Sequence, residues 1–344
     1  MTSKNRSTKK ARQLGVRFDR RGLRLEGGGV SFDGEGEGGV AFLSSALVVM
    51  AQGGPRVITS DLTARLLGAR LGPALATPFF RPLLLGQLEL ELLPSGFVPG
   101  AAALSVRLEG KSLLYSGHLG RGAALLGLPP AAPRRCDHLV LRPIAAEPGF
   151  HCPPTEETIC QVLEFAHRAR RDGSVVLLHG HPLGPLQAAA SPLQAAGFQV
   201  RAHRQVHRFF GPLRAAGVAL GQVTRFEGEP VAGEVLLWPL ERSLRLSGRR
   251  EPPMARALLT GLRPSSELLA ASGCEVSFPL GNELDFEALV AYVEACRPAL
   301  VTFLGARPQA LERALDDRGI RIEALGLPAQ LPLGGLARGE AGLL

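Results

Sequence analysis

The alternation that begins near residue 153 limits what this chain can fold into more than any other feature. Thr155-Glu156-Glu157-Thr158 opens a helix-periodic segment that runs to about residue 170. Apolar runs at 174–178 and 199–202 then alternate with helical stretches at 185–196 and 206–216. Strands separated by helices and short links predict a parallel α/β sheet, because parallel neighbours need a crossover that returns the chain to the same end. Further on, 234–237, 255–259, 299–303 and 320–325 read as strands, and 285–295 and 308–318 as helices. Up to about residue 145 the texture is different and β-rich. Strand signals lie at 22–33, 40–43, 56–59, 83–93 and 139–141, and a hairpin at 104–108 and 112–115 turns on Glu109-Gly110-Lys111. Ser60 or Asp61 can cap a helix that runs to about residue 71.

The chain has 344 residues, more than one hydrophobic core usually fills, so a composite domain or two domains are expected. Hydrophobic residues at 45% and charged residues at 20% are ordinary for a globular protein. The net charge is +8, and most of the excess is N-terminal. Lys4, Arg6, Lys9, Lys10, Arg12, Arg17, Arg20, Arg21 and Arg24 face one acid, Asp19. This reads as a flexible solubilising arm or as an arm that grips phosphates, with binding that weakens steeply in salt. Five cysteines without a Cys-x-x-Cys pair predict reduced thiols. No secretory signal and no run of eighteen apolar residues is visible, so no membrane span is expected and the expected location is cytoplasmic.

Several short stretches carry a likeness by their order and spacing. They are Val40-Ala41-Phe42-Leu43-Ser44-Ser45-Ala46-Leu47-Val48-Val49-Met50, Ala64 to Gly72, Leu93-Pro94-Ser95-Gly96-Phe97-Val98-Pro99-Gly100, and Leu113-Leu114-Tyr115-Ser116-Gly117-His118. Arg135 to Leu141, Phe278-Pro279-Leu280-Gly281-Asn282-Glu283-Leu284-Asp285-Phe286 and Val301 to Gly305 complete the series. Together they resemble the β-CASP branch of the metallo-β-lactamase superfamily, most of all its bacterial ligase-associated DNA exonucleases and mRNA 3′-end processing nucleases. The resemblance implies an α/β fold: a metallo-β-lactamase-like αββα sandwich with an inserted β-CASP-like α/β domain. The expected divisions are a basic arm at 1–21, sandwich parts at 22–150 and 235–332, the insertion at 151–234, and a tail at 333–344.

Active members of that family hold zinc, which takes nitrogen and oxygen donors and keeps one position open for water. By resemblance, Ser45, Leu47, Val49 and Met50 occupy the first ligand loop, Phe97 a further histidine position, and His118 the bridging aspartate position. Arg142 follows where an acid would stand, and Glu283 and Leu304 take the later histidine positions. Only His118 and Glu283 could ligate anything. Leu47, Val49, Met50, Phe97 and Leu304 are expected to fill the cavity with hydrocarbon. No metal and no cofactor is therefore expected, and the chain reads as a catalytically inactive homologue rather than an enzyme. Its implied partners are DNA or RNA, together with an active paralogue or another repair or RNA-processing protein. The alternative is an active metal-dependent hydrolase with a rearranged site drawn from His118, Asp137, His138, Glu283 or the histidines of the insertion.

Those histidines are His179, His181, His203 and His207, spaced either as zinc ligands or as loop residues that happen to be neighbours. Arg201, Arg204 and Arg208 flank the second pair and, with Lys4, Lys9, Lys10 and Arg12, are the candidate nucleic-acid contacts. Arg242, Arg245, Arg249 and Arg250 form another basic stretch. His151-Cys152 and Cys160 read as structural, since no partnering acid is identifiable and a thiol within a helix is ordinarily buried. Gly117 to Gly122 is glycine-rich but precedes no Lys-Ser/Thr signature, so it does not read as a phosphate loop.

Overall fold

The computed structural model describes residues 14–19, 22–34, 39–48, 56–143, 148–242, 244, 252–305 and 307–325. Lys4, Lys9, Lys10, Arg12, Val49, Met50, Arg245, Arg249, Arg250 and the expected tail lie outside these residues. The described chain is mixed α/β, with three sheets.

Two sheets pack face to face. One runs in the order Val16–Asp19, Gly22–Leu25, Val30–Phe32, Val40–Phe42, Arg56–Ser60, Ala74–Thr77, antiparallel at its start and parallel from Val30–Phe32 onward. The other places Pro82–Leu85, Leu88–Pro94, Ala102–Leu108 and Lys111–His118 as an antiparallel meander, then adds His138–Arg142, Leu300–Leu304 and Arg321–Leu325 in parallel. Alternation decides which side chains meet. Leu88, Leu90 and Leu92 point between the sheets onto Leu23, Phe32, Phe42, Ile58 and Tyr115. The opposite face of the second sheet, with Leu114, Leu139, Leu141 and Phe303, is covered by helices Phe286–Cys296 and Gln309–Asp316 through Leu289, Val293, Leu311 and Leu315. Each such side chain contributes about 1.5–3 kcal/mol on burial.

The single strand expected at 83–93 is instead a hairpin. Gly86, at φ 61°, lets the chain reverse between Pro82–Leu85 and Leu88–Pro94. Ser60 is the cap of the first helix, its Oγ accepting from the Thr63 N–H at 3.1 Å.

The third sheet is wholly parallel, in the order Thr224–Arg225, Val200–Ala202, Val235–Pro239, Val175–Gly180, Met254–Leu259, Val276–Phe278. Helix Thr155–Arg171 lays Val162, Phe165, Ala166 and Ala169 against Val176, Leu178 and Leu237. The boundary expected at 234/235 cuts through this sheet, whose central strand is flanked by Val235–Pro239 and Met254–Leu259. Crossovers separate sequence neighbours in a parallel sheet, so the pattern of a strand does not say which sheet it joins. The helix expected at 206–216 divides into Arg204–His207 and Phe210–Ala215. Pro212 sits in the first turn of the second, where a missing N–H leaves no bond unmade.

Candidate functional site

The loops at one end of the sandwich meet the carboxyl ends of the parallel strands along a seam. Asp33, just past Val30–Phe32, organises the sandwich side. Its carboxylate accepts the Ser44 N–H and Oγ–H, both at 2.7 Å, and the Tyr115 phenol at 2.8 Å. Burial raises the pKa of Asp33, while the bonds from Ser44 and Tyr115 and the charge of Arg142 act the other way. The residue thus ties the 44–48 loop to both sheets. The sequence reading missed it; the only signal was a lone acid at a strand end.

Ser45 is buried, and its Oγ accepts from the Leu47 N–H at 3.4 Å. Leu47 packs with Ala46, Phe97, Val98, Leu183 and Phe209 across the seam. Phe97 stacks on His118, with ring centroids 5.0 Å apart at 30°, and meets His181 edge-on at 6.0 Å. Burial, then the charges of Arg142 and His181, lower the His118 pKa to about 3, so the imidazole is neutral near pH 7. Glu283 is buried and its Oε2 accepts the Gly261 N–H at 3.0 Å. Leu304 does not join Phe97; it points between the two sheets with Phe42, Tyr115 and Val140. Strand alternation sends it inward while Phe303 faces the helices.

These residues do not fit a catalytic zinc. The donors are two, His118 and Glu283, fewer than the three protein ligands that such a site takes. Among the described residues no three His, Cys, Asp or Glu side chains stand together as a metal site. The rearranged set does not assemble either. His118 lies beside Arg142, whereas His138 lies beside Leu113, so the two are at opposite ends of adjacent strands, roughly 13 Å apart at the usual rise. Asp137 accepts the N–H and Oγ–H of Ser112, and His138 bonds the Leu14 carbonyl at 3.2 Å and Thr302 Oγ1 at 2.8 Å.

The histidines of the parallel sheet also part company. His203 Nδ1 accepts from the Gln205 N–H and its ring lies 4.7 Å from Trp238. His207 Nε2–H donates to the Val223 carbonyl at 3.1 Å. His179 is buried, which lowers its pKa to about 4. His181 faces the seam.

Arg201 is not a free nucleic-acid contact. Its guanidinium bonds both carboxylate oxygens of buried Glu234, at 2.6 and 2.5 Å, and reaches the Glu227 and Glu229 carbonyls. Arg204 and Arg208 are exposed. The Arg208 guanidinium lies 4.4 Å over the Phe209 ring, and the partial desolvation there, followed by the nearby charge of Arg70, lowers its pKa although the side chain reaches solvent. Arg70, which sequence reading did not single out, is held by the Leu66 and Leu67 carbonyls at the end of helix Asp61–Leu67. That helix touches Phe210–Ala215, so Arg70 and Arg208 flank the seam from two sides. Among the described residues, no carboxylate pairs with Arg70, Arg204 or Arg208.

Cys152 donates its thiol to the Gly261 carbonyl at 3.7 Å, and burial pushes its pKa up, so it is no activated nucleophile. Cys160 is exposed on its helix rather than buried. The amides of Gly120 and Arg121 are spent on the Ser95 and Asn282 carbonyls. Asn282, also missed by sequence reading, is fully buried and donates to the Leu183 carbonyl at 3.0 Å. A Cβ on Gly122 or Gly184 would come within 1.9 or 2.1 Å of its Oδ1, which is why both positions need glycine.

No protein-family model matches the chain. Its fold is similar to a crystal structure of a protein of unknown function from Enterococcus faecalis V583, with a TM-score of 0.54 at 13% identity over 77% of this chain and 75% of that one. In sequence it is 28% identical over 290 residues, 81% of the chain, to a probable DNA ligase of Opitutus terrae. The chain spans 28% of the length of that relative. The relative is named as an enzyme, and this likeness overturns the expectation that the chain is no enzyme.

Proposed function

We propose that this chain is a nucleic-acid-binding unit that positions DNA for ligation, built on a metallo-β-lactamase-like sandwich with a β-CASP-like insertion. The observation that carries the reading is the match over 290 residues to a protein named as a probable DNA ligase. The sheet order supports the fold assignment: a meander continued by parallel strands, a second sheet packed on it, helices outside, and a separate parallel sheet between the chain's two contributions. The seam supports the ligand. Arg70 and Arg208 stand at the ends of neighbouring helical segments, and among the described residues neither pairs with a carboxylate, so a phosphate backbone can supply the missing counter-charge.

The test is fluorescence anisotropy with nicked duplex DNA, single-stranded DNA and RNA between about 50 and 200 mM salt. Affinity should fall linearly on a log–log plot, and Arg70→Ala and Arg208→Ala should each reduce the slope by about 1. Arg201→Ala, in so far as it folds, should leave the slope unchanged, because Glu234 already neutralises that guanidinium. Absence of salt-dependent binding to all three at the lowest salt refutes the reading.

A further inference from the structure

A cavity of about 200 Å³ opens beside the seam, at the carboxyl ends of Val175–Gly180 and Met254–Leu259. After the first of these neighbouring strands the chain crosses to one side of the sheet, and after the second to the other. Open α/β sheets form a crevice at such a point. Leu258, Leu262 and Leu268 give the cavity apolar walls.

Its polar groups converge. Glu283 is 4% exposed, and only its Oε2 is engaged, by the Gly261 N–H; among the described residues nothing donates to Oε1. The backbone wraps this carboxylate closely, and a Cβ on Gly281 would come within 2.4 Å of Oε2. His181 lines the same space, and its Nδ1 is buried without a hydrogen-bond partner. Thr260 Oγ1 accepts from the Leu262 N–H at 3.2 Å, which leaves its own hydrogen free to donate. Arg263 stands at the lining with its guanidinium 5.7 Å from the Phe150 ring centroid.

We propose that this cavity takes a single nucleobase bearing an exocyclic amino group, from an unpaired end or gap of a DNA strand. This rests on the nucleic-acid reading above and adds the part of the ligand that is read. An aliphatic slot accepts the faces of a flat ring. The free Glu283 oxygen accepts an amino N–H of cytosine or adenine, and the ring nitrogen beside that amino group accepts from the Thr260 hydroxyl or the His181 ring. Thymine presents a carbonyl where the amino group would be, and two acceptors then face each other. At about 200 Å³ the space is below the roughly 300 Å³ of ordinary ligand pockets, so it suits one base and not two. Arg263 is placed to meet the attached phosphate.

The experiment is calorimetric titration of the full chain with dCMP, dAMP and dTMP, beside oligonucleotide binding at low salt. The expected result is that dCMP and dAMP bind at least about fivefold more tightly than dTMP. Glu283→Gln, whose amide can face a thymine carbonyl, should bring the ratio toward one. Leu268→Trp fills the cavity from its wall while Glu283 itself is kept, and should abolish mononucleotide binding even where Glu283→Gln does not fold. Equal affinity for the three mononucleotides, or binding unaffected by Leu268→Trp, overturns the proposal. Oligonucleotides bound without any mononucleotide binding would sink the cavity and leave the nucleic-acid reading standing. No binding of either kind would sink both.

Discussion

His118 concentrates what a single side chain does at the seam. It was singled out as a donor in a bridging position, yet it stands as a neutral ring stacked on Phe97. Burial holds its pKa at about 3, and that of His179 at about 4, against the usual 6.5. Between those values and 6.5 the unfolded chain binds more protons than the folded one, so each histidine contributes stability that is complete above pH 6.5 and is lost on acidification. Each should cost about 1.4 kcal/mol per pH unit within its window. Thermal unfolding from pH 7 to pH 4 should therefore show a falling Tm, and His118→Phe should flatten that fall by one histidine's share. A fall of equal steepness in the variant would show that the ring is already solvated. Asp33 is the converse case, a carboxyl held in the interior by three donors. Nothing in the residues around it marks that role, because its partners come from 11 and 82 residues away.

At the level of elements, Arg201 and Glu234 fasten Val200–Ala202 to the loop that leads into Val235–Pro239. Glu234 also accepts the Val231 N–H at 2.7 Å. The pair is largely buried, with side chains 12% and 1% exposed. Removing one partner of such a pair strands a charge, so Arg201→Ala or Glu234→Ala should each destabilise the protein by about 3–5 kcal/mol in urea unfolding. The double substitution should cost well below the sum of the two. Additive losses would mean that the two groups are not coupled. The arginine was legible as a basic residue after a strand, and its use was not: charge pattern shows that a guanidinium is present, while its partner lies 33 residues away.

For the molecule as a whole, the parallel sheet is the unit that sequence divided wrongly. Val175–Gly180, Val235–Pro239 and Met254–Leu259 share hydrogen bonds across the expected 234/235 boundary. Amide hydrogen exchange should show the three strands opening together, with one common free energy. Separate protection on the two sides of residue 235 would contradict the single sheet. The likeness to a ligase corrects a second expectation at this scale, since the empty metal motif was read as the absence of an enzyme and the relative is named as one. A motif describes one site, and the activity of a protein is not exhausted by one site.

Sequence by itself determined several local choices: the hairpin that turns on Glu109-Gly110-Lys111, a helix start at Ser60 or Asp61 and another at Asp285, and the parallel strands that follow residue 153, though not the turn at Gly86. Those depend on period, propensity and capping within a few residues. Tertiary structure alone decided which sheet each strand joined, that Leu304 faces the sandwich interior while Phe97 covers His118, and that Arg201 is spent while Arg70 and Arg208 stand together. Each of these is set by groups far apart in the chain, brought together only when the apolar faces of three sheets are buried at once.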